Sequence, residues 1–450
     1  MGSIDSQQHT QLSVTIVGAG IAGLAAATAI AQKGHSATVL EAKPALNEFG
    51  ASIGITANGV RPCKAWGLQK AFEKVVTKNG FLDFRDGMSA QMLGHLPHNH
   101  NKASLIGYGE DVWNINRRDL QDTLADAAEA SGAKILFDAE PERIDVENST
   151  VILKDGTQMG ADLIIGADGI ASAVRRSIPA VADVEPLARG SGCYRCTVPK
   201  DKMRGNPKLE WLLDSGDEYC FFGPGRYVLS WPLPPHRQYD VVIGPTSSAD
   251  VPLGRWGAKG DPDVARAEFA DFGPEVVELL RNIDTCVKWR QAELPPLETC
   301  RSENGRVMVI GDAWHAMLPH AASGGNSSLE DAACLAECLD WASRTNKPVS
   351  AATKAFEDIR QPRVRRMQEA CHEGVAFLGA SSEDEVSARN QMLAGATKAY
   401  DADLSLPEEE RRSRRKEKAD MHARFPSEPY LQWLYGYDAI AATKEYLAQM

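Results

Sequence analysis

One glycine-rich turn near the N-terminus constrains the fold of this chain more than any other feature. Val14 to Val17 is a run of β-branched residues that predicts a buried strand, and Leu24 to Gln32 predicts an alanine-rich helix. Between them stand Gly18, Gly20 and Gly23 at the spacing GxGxxG. Gly18 allows a tight turn, Gly20 lets backbone approach a pyrophosphate, and Gly23 allows close packing of helix on strand. We therefore expect the first unit of a dinucleotide-binding fold.

The second strand of this unit ends in an acidic residue. Ser36 to Leu40 predicts the strand, and Glu41 lies at its C-terminal tip, followed by Ala42. A carboxylate there accepts hydrogen bonds from a ribose hydroxyl and repels a 2′-phosphate. Ile21 and Ala22 lie in the turn before the helix, and the helix N-terminus offers free N–H groups and a positive dipole end that favour phosphates. The unit is predicted to bind the adenosine half of FAD or NAD rather than that of NADP.

Length and composition limit the classes of protein to which this chain can belong. With 450 residues and 43% hydrophobic content, the chain can bury a large core divided into two or three domains. A net charge of −12 argues against a nucleic-acid partner. We find neither a membrane-spanning stretch nor a secretory signal, and nine scattered cysteines favour reduced thiols, so we expect a cytoplasmic protein. Met1 to Ser6 matches a myristoylation pattern without a following polybasic segment, which leaves the acylation of Gly2 open.

Two further strand-and-turn units follow, separated by a stretch with a different pattern of apolar and polar residues. Ala161 to Arg175 predicts a second strand-turn-helix unit, whose continuous apolar strand is typical of a parallel sheet. Asp168 at its turn places a carboxylate beside the first glycine motif. From about Val181 the strands become alternating and aromatic, as in a substrate-binding sheet, until an apolar strand returns at Val307. We predict an α/β protein with a discontinuous nucleotide domain at 11–180 and 296–370, an inserted mixed β-sheet domain at 181–295, and a C-terminal helical segment at 371–450.

Within the predicted sheet domain, Arg195 is the leading candidate for contact with a substrate. Its guanidinium could bind a phenolate or carboxylate, or donate a hydrogen bond to an oxygen that develops charge; a surface ion pair is an equal alternative. Tyr219, Phe221, Tyr227 and Trp231 are predicted to share one face of adjoining strands. They could wall an aromatic pocket, with ordinary core packing as the alternative.

Four motifs in order then carry a resemblance: GAGIAG with Glu41, GADGIASAVR, GDAWHAMLP, and SLED after Gly324-Gly325. Together they resemble the single-component, class A FAD-dependent aromatic monooxygenases, the family of para-hydroxybenzoate and salicylate hydroxylases. Residues 192–199 and 433–439 are similar to the salicylate-hydroxylase-like branch, many of whose fungal members modify natural products. The chain departs from the family at Asn116, where a His is usual, and at 321–326, which lacks the usual Gln.

The resemblance implies a Rossmann-like fold and FAD, with NADPH or NADH as a transient reductant because the chain has a single complete GxGxxG. The implied reaction inserts one oxygen atom from O2 into an aromatic small molecule through a flavin C4a-hydroperoxide. Epoxidation of an indole alkaloid or another secondary-metabolite alkene stays open as an alternative. So do a flavin oxidase or dehydrogenase reaction and a non-catalytic FAD-binding scaffold. We expect no metal, and a monomer or homodimer.

We take Arg195 and Tyr227 as the candidate catalytic residues. The resemblance assigns roles to further residues, and it implies that Arg117 reaches the flavin. Asp312 lies against the ribityl chain or pyrophosphate, with a helix-capping role as the alternative. Pro319 fixes the loop that faces the flavin ring, where backbone N–H groups would stabilise negative charge on the reduced ring. The full set of implied cofactor contacts is Gly18, Gly20, Ile21, Ala22, Gly23, Glu41, Ala42, Gly54, Arg117, Asp168, Asp312, Pro319, Gly324, Gly325 and Asn326.

Overall fold

The computed structural model describes residues 10–46, 52–78, 80, 82–96, 101–233, 238–252, 258–416 and 418–450. Residues 1–6, which carry the myristoylation pattern, lie outside the described residues. In chain order the strands are β1 (Ser13–Val17), β2 (Ser36–Leu40), β3 (Ser52–Ile55), β4 (Leu82–Asp86), β5 (Met92–Leu96), β6 (Trp113–Asn116), β7 (Lys134–Leu136), β8 (Pro141–Asp145), β9 (Thr150–Leu153), β10 (Gln158–Gly160), β11 (Leu163–Gly166), β12 (Leu187–Pro199), β13 (Glu218–Gly223), β14 (Arg226–Leu233), β15 (Gln238–Ser247), β16 (Ala258–Lys259), β17 (Cys286–Glu293) and β18 (Val307–Val309).

The helices alternate with these strands and then dominate the C-terminal part. They are α1 (Ile21–Gln32), α2 (Ala57–Ala65), α3 (Gln69–Phe72), α4 (Asn101–Tyr108), α5 (Arg117–Ala130), α6 (Ala173–Ser177), α7 (Glu210–Asp214), α8 (Pro262–Glu268), α9 (Pro274–Arg281), α10 (Asp312–His315), α11 (Gly324–Arg344), α12 (Val349–Leu378), α13 (Glu383–Leu404), α14 (Glu408–Lys416), α15 (Glu428–Tyr435) and α16 (Ala439–Leu447). No described helix is long and apolar enough to cross a membrane.

A five-stranded parallel sheet forms the centre of the nucleotide-binding part. Its order is β18-β11-β1-β2-β7, and each neighbouring pair runs parallel. Strands β1, β11 and β18 are nearly continuous apolar runs, as in a sheet that is covered on both faces. Helix α1 and residues of the three-stranded sheet β10-β9-β8, such as Val151 and Leu153, lie in the same hydrophobic core. The order brings the strands of the three sequence units side by side, so their C-terminal turns meet at one edge. The predicted α/β fold is confirmed.

The second large sheet has eight strands in the order β16-β17-β12-β15-β14-β13-β4-β5. It is antiparallel except where β13 runs parallel to β4. Helices α8 and α9 pack on one face, which we call the outer face, with Tyr219 and Phe221 in the same hydrophobic cluster. The opposite, inner face carries Arg195 and is directed toward β3.

One expectation about this sheet is wrong. Tyr219, Phe221, Tyr227 and Trp231 do not share a face, because the hairpin register places Phe222 opposite Tyr227 and Val228 opposite Phe221. Cross-strand partners project to the same side, and successive residues alternate. Tyr219 and Phe221 therefore lie in the outer-face core, whereas Tyr227 and Trp231 lie on the inner face with Arg195.

Candidate functional site

The glycine-rich turn between β1 and α1 leaves no room for side chains at two of its three glycines. Gly18 has φ +105°, and a Cβ there would lie 2.5 Å from the carbonyl oxygen of Ala167. A Cβ on Gly23 would lie 2.0 Å from the oxygen of Gly18. Around Gly20, by contrast, nothing described lies within 4 Å of such an atom. The backbone is thus open to a ligand at Gly20, beside the N-terminus of α1, where Ile21 and Ala22 present N–H groups.

Glu41 stabilises this turn from the end of β2. One carboxylate oxygen accepts a hydrogen bond from the Ala19 N–H at 3.0 Å, and the other accepts one from the Lys43 N–H at 3.0 Å. The side chain is only partly buried, and Ala42 next to it is exposed. A carboxylate has about four acceptor positions, so Glu41 retains the capacity to bind a ribose hydroxyl.

Asp168 lies at the second turn, but its carboxylate is used within the protein. It accepts hydrogen bonds from the N–H groups of Ala173 (2.7 Å) and Val174 (3.2 Å) and from the hydroxyl of Ser172 (2.5 Å), so it caps α6. Burial raises the pKa of Asp168, while these hydrogen bonds oppose the shift. The Cα of Asp168 lies 3.1 Å from where a Gly18 Cβ would be, so backbone rather than carboxylate adjoins the glycine turn.

The third unit places an uncommitted carboxylate at the same edge. Asp312 begins α10 immediately after Gly311, and its side chain is exposed. In the part of the chain that the structure describes, this carboxylate makes no hydrogen bond or ion pair. One of its oxygens lies 4.0 Å from the position of a Cβ on Gly324, which opens α11. The Asp312 carboxylate thus points toward the 319–326 segment without forming a hydrogen bond to it.

The 319–326 segment runs from a short helical turn beginning at Pro319 into the first turn of α11. Ala322 is left-handed at φ +49°, and α11 begins at Gly324, so Gly324, Gly325 and Asn326 are themselves helical and offer the unpaired N–H groups of its first turn. No side chain within the described residues caps this N-terminus. The segment is therefore a donor-rich site that favours negative charge.

β3 connects this segment to the rest of the site. The Asn326 side-chain amide donates to the oxygen of Gly54 at 3.2 Å and accepts from the N–H of Thr56 at 3.0 Å. A Cβ on Gly325 would lie 2.6 Å from the side chain of Ile53. Gly54 therefore lies directly beside the first turn of α11.

Sequence reasoning missed a fully buried charged cluster below this segment. Arg360 of α12 donates to Glu330 at 2.5 Å and to Asp331 at 2.9 Å, and Arg363 donates twice to Glu330. Asp331 also contacts His315 at 2.7 Å and accepts from the Gly311 N–H at 3.0 Å. Hydrogen bonds and neighbouring positive charges hold the pKa values of both carboxyl groups low despite burial. The adjacent acids Glu330 and Asp331, followed by the small and apolar run Ala332 to Ala336, were the available signal.

The inner face of the eight-stranded sheet places two arginines on one tryptophan. The Arg195 guanidinium lies 5.2 Å from the Trp289 ring centre and 6.0 Å from that of Trp231, and Arg117 lies 5.7 Å from Trp289. Burial lowers the pKa of Arg195. Arg195 donates to the oxygen of Ser52 at 2.9 Å, and the buried Nε of Arg117 has no hydrogen-bond partner. Neither guanidinium has a carboxylate at ion-pair distance among the described residues.

A cavity of about 820 Å³ adjoins Arg195. Asp240 and Trp289 contribute to its wall, together with parts of β12, β16 and β17. That volume accommodates an aromatic small molecule. Tyr227 lies further along the inner face, packed with Phe84 and Phe222. Burial raises the pKa of Tyr227, and its hydroxyl makes no hydrogen bond within the described ranges.

These features fit FAD. The open backbone at Gly20 and the uncapped N-terminus of α1 suit a pyrophosphate, and Glu41 suits the ribose. Asp312 offers an unused acceptor for ribityl hydroxyls, and the N-terminus of α11 offers donors for a flavin ring. The described residues contain no group of three or more His, Cys, Asp or Glu side chains that could hold a metal ion. Fold and site together define a flavoprotein with one dinucleotide-binding unit.

The chain belongs to the FAD binding domain family, whose model matches residues 11–370. It is an FAD-dependent monooxygenase, an oxidoreductase that uses NAD(P)H and O2. The chain is 27% identical over 455 residues to FAD-dependent monooxygenase OpS4 of Beauveria bassiana, covering 100% of this chain and 99% of the relative. It is 30% identical over 379 residues to a salicylate hydroxylase of Pseudomonas putida, covering 79% of this chain and 83% of the relative.

Solved structures share the fold over nearly the whole chain. The crystal structure of CtdE in complex with FAD and substrate 4 matches with a TM-score of 0.76 at 23% identity, covering 98% of this chain and 99% of that chain. A salicylate hydroxylase substrate complex matches with a TM-score of 0.73 at 22% identity, covering 97% and 98%. At this level of identity the likeness concerns the fold.

Proposed function

We propose that this monooxygenase inserts one oxygen atom into an aromatic small molecule that carries a phenolate or carboxylate. The observation that carries this proposal is the pair of guanidinium groups, Arg195 and Arg117, stacked on Trp289 without a carboxylate partner among the described residues. Partly buried positive charge without an ion-pair partner favours an anionic ligand. The rings of Trp289 and Trp231 beside it favour an aromatic ligand. The salicylate hydroxylase among the relatives supports the same chemical class.

We assign the cofactor contacts on the same basis. Gly18 to Gly23, including Ile21 and Ala22, would hold the pyrophosphate; Glu41 and Ala42 would border the adenosine ribose. Asp312 would accept hydrogen bonds from ribityl hydroxyls, and Gly54, Pro319 and Gly324 to Asn326 would border the flavin ring. Arg117, which lies beside Trp289, would also contact the flavin. Asp168 supports the site through its backbone, since its carboxylate caps α6.

FAD held by these residues would supply the redox chemistry, passing electrons from NAD(P)H to O2, which is the source of the inserted oxygen atom. The protein's contribution is binding, orientation and exclusion of water. Arg195 would hold the anionic group of the substrate, while the hydroxyl of Tyr227 would donate a hydrogen bond to a substrate oxygen on the inner face. The first turn of α11 would stabilise negative charge on the reduced ring by its N–H groups and dipole.

We further propose that the nicotinamide, from NADPH or NADH, visits transiently, because the chain has one complete GxGxxG unit. The enzyme would act in the cytoplasm as a monomer or homodimer, without a nucleic-acid partner. All nine cysteines are buried free thiols, which supports a reducing compartment.

The test combines a ligand panel with one substitution. Salicylate, hydroxybenzoates, simple phenols and neutral indoles are each added to the purified FAD-loaded enzyme, and NAD(P)H oxidation and oxygenated product are measured. We expect stimulation by anionic aromatics, and loss of coupled product in Arg195→Ala with FAD retained. Arg118→Ala, at an exposed position paired with Asp122, is the control. Stimulation by the neutral indoles alone, or full coupling in Arg195→Ala, would contradict the proposal.

A further inference from the structure

We propose that Ser52 is a positioning residue that fixes the Arg195 guanidinium relative to the flavin-facing 319–326 segment. The inference rests on the proposed role of Arg195 in substrate binding. It concerns the strand β3, which joins the nucleotide-binding part to the inner face of the eight-stranded sheet. One end of β3 is bound to Arg195 and its neighbours, and the other end is bound to the first turn of α11.

All polar groups of Ser52 are used by three side chains of the inner face. Its N–H donates to a carboxylate oxygen of Asp240 at 3.1 Å, and its hydroxyl donates to the same oxygen in a short contact. The hydroxyl oxygen also accepts from the indole N–H of Trp231 at 2.7 Å. The carbonyl oxygen accepts from Arg195 at 2.9 Å. Ser52 and Asp240 are 4% and 3% exposed, so water competes little for these hydrogen bonds.

Two residues further along β3, the contacts change from the sheet to the flavin-facing segment. Gly54 accepts from the Asn326 amide at 3.2 Å, and the Thr56 N–H donates to the same side chain at 3.0 Å. Because an extended strand advances about 3.3 Å per residue, the two sets of contacts are about 7 Å apart along β3. β3 thus fixes the distance between the contacts of Ser52 with the inner face and the contacts of Gly54 and Thr56 with Asn326.

Ser52 is also what orients the arginine. The Ser52 carbonyl is the single hydrogen-bond acceptor for the Arg195 guanidinium within the described residues. Trp231, which lies beside that guanidinium, is itself held by the Ser52 hydroxyl. Removing the hydroxyl leaves the Trp231 N–H without its acceptor and deprives Asp240 of one donor. Both changes loosen the surroundings of Arg195 without removing any group that touches the cofactor.

The experiment compares FAD-loaded wild type with Ser52→Ala, Ser52→Thr and the control Ser230→Ala. Ser230 is a fully buried serine on the outer face of β14, whose hydroxyl contacts that of Tyr239 at 3.2 Å. Three quantities are measured: the dissociation constant of FAD, the dissociation constant of salicylate from its effect on the flavin absorption spectrum, and the Arg195 position in crystals of wild type and Ser52→Ala.

We expect Ser52→Ala to weaken salicylate binding about tenfold, as for one hydrogen bond to a charged group, while FAD affinity changes less than about twofold. Ser52→Thr should restore salicylate binding and Ser230→Ala should leave it unchanged. In the Ser52→Ala crystal the guanidinium should leave the residue 52 carbonyl. An unmoved guanidinium, or equal loss in Ser230→Ala, would overturn the inference. Absence of any salicylate response in the wild type would instead count against the proposed substrate class, and the crystals would then decide the role of Ser52.

Discussion

A Cβ atom on Gly23 would lie 2.0 Å from the carbonyl oxygen of Gly18, which is far inside van der Waals contact. The two glycines therefore fix how closely α1 approaches the end of β1. Gly20, between them, has φ −80° and open space around its missing side chain. The three glycines of one motif thus divide into two that serve packing and one that borders open space.

This division predicts different outcomes for two alanine substitutions. Gly23→Ala should lower the free energy of unfolding by about 1–3 kcal/mol, because backbone must shift to admit the methyl group. Gly20→Ala should cost about 1 kcal/mol or less, since its φ suits any residue, yet weaken FAD binding at least about tenfold by obstructing the pyrophosphate. Urea unfolding of apoprotein and FAD titration separate the two effects. A stable Gly23→Ala protein would show that α1 packs less closely than described.

A second prediction concerns Asp312, whose exposed carboxylate has no partner in the described structure. Asp312→Ala should leave apoprotein stability nearly unchanged and weaken FAD binding about tenfold or more, as expected for hydrogen bonds to a charged acceptor. Fluorescence titration of FAD measures the effect. Glu303→Ala, an exposed carboxylate in a turn before β18, is the control and should bind FAD normally. Unchanged FAD affinity in Asp312→Ala would show that this carboxylate does not contact the cofactor.

A third prediction concerns the buried charged cluster beneath the 319–326 segment. Asp331→Ala removes the acceptor of Arg360, His315 and the Gly311 N–H, so it should lower the free energy of unfolding by about 3–5 kcal/mol. Asp122→Ala breaks an exposed ion pair on α5 and should cost no more than about 1 kcal/mol. Denaturant unfolding checks both. Similar losses in the two variants would mean that the cluster contributes no more than a surface pair.

A fourth prediction is a pH dependence from His320 in the 319–326 segment. Burial, assisted by the nearby His372, lowers the pKa of His320 from 6.5 to about 4. Between about pH 6.5 and pH 4, His320 is therefore protonated in the unfolded chain but neutral in the folded protein. Because the unfolded state binds more protons, the free energy of unfolding should fall as the pH decreases through this window. Urea unfolding at several pH values should show a shallower decline in His320→Gln than in the wild type. Parallel curves would contradict the assignment.

The sequence predicted the structure correctly where a local residue pattern is compatible with a single backbone arrangement. The glycine spacing, the acid at Glu41 and the apolar strands defined the parallel sheet and its ligand edge. It failed for Tyr219 and Tyr227, because the hairpin register, and not the alternation within each strand, decides which face a residue joins. The contacts of Arg360 with Glu330 and Asp331 were also missed, since residues about thirty positions apart meet only through the packing of α11 on α12.

The parallel pairing of β13 with β4 has a consequence for synthesis of the chain. Residues 82–86 can pair early with residues 92–96, but this hairpin joins the rest of its sheet only through residues 218–222, and β18, at 307–309, completes the other sheet still later. Contacts between such distant segments close slowly. A nascent chain that has left the ribosome only as far as residue 180 therefore carries four of the five strands of the parallel sheet, but only β4 and β5 of the eight-stranded sheet. Both sheets are completed only by strands that are synthesised after residue 180.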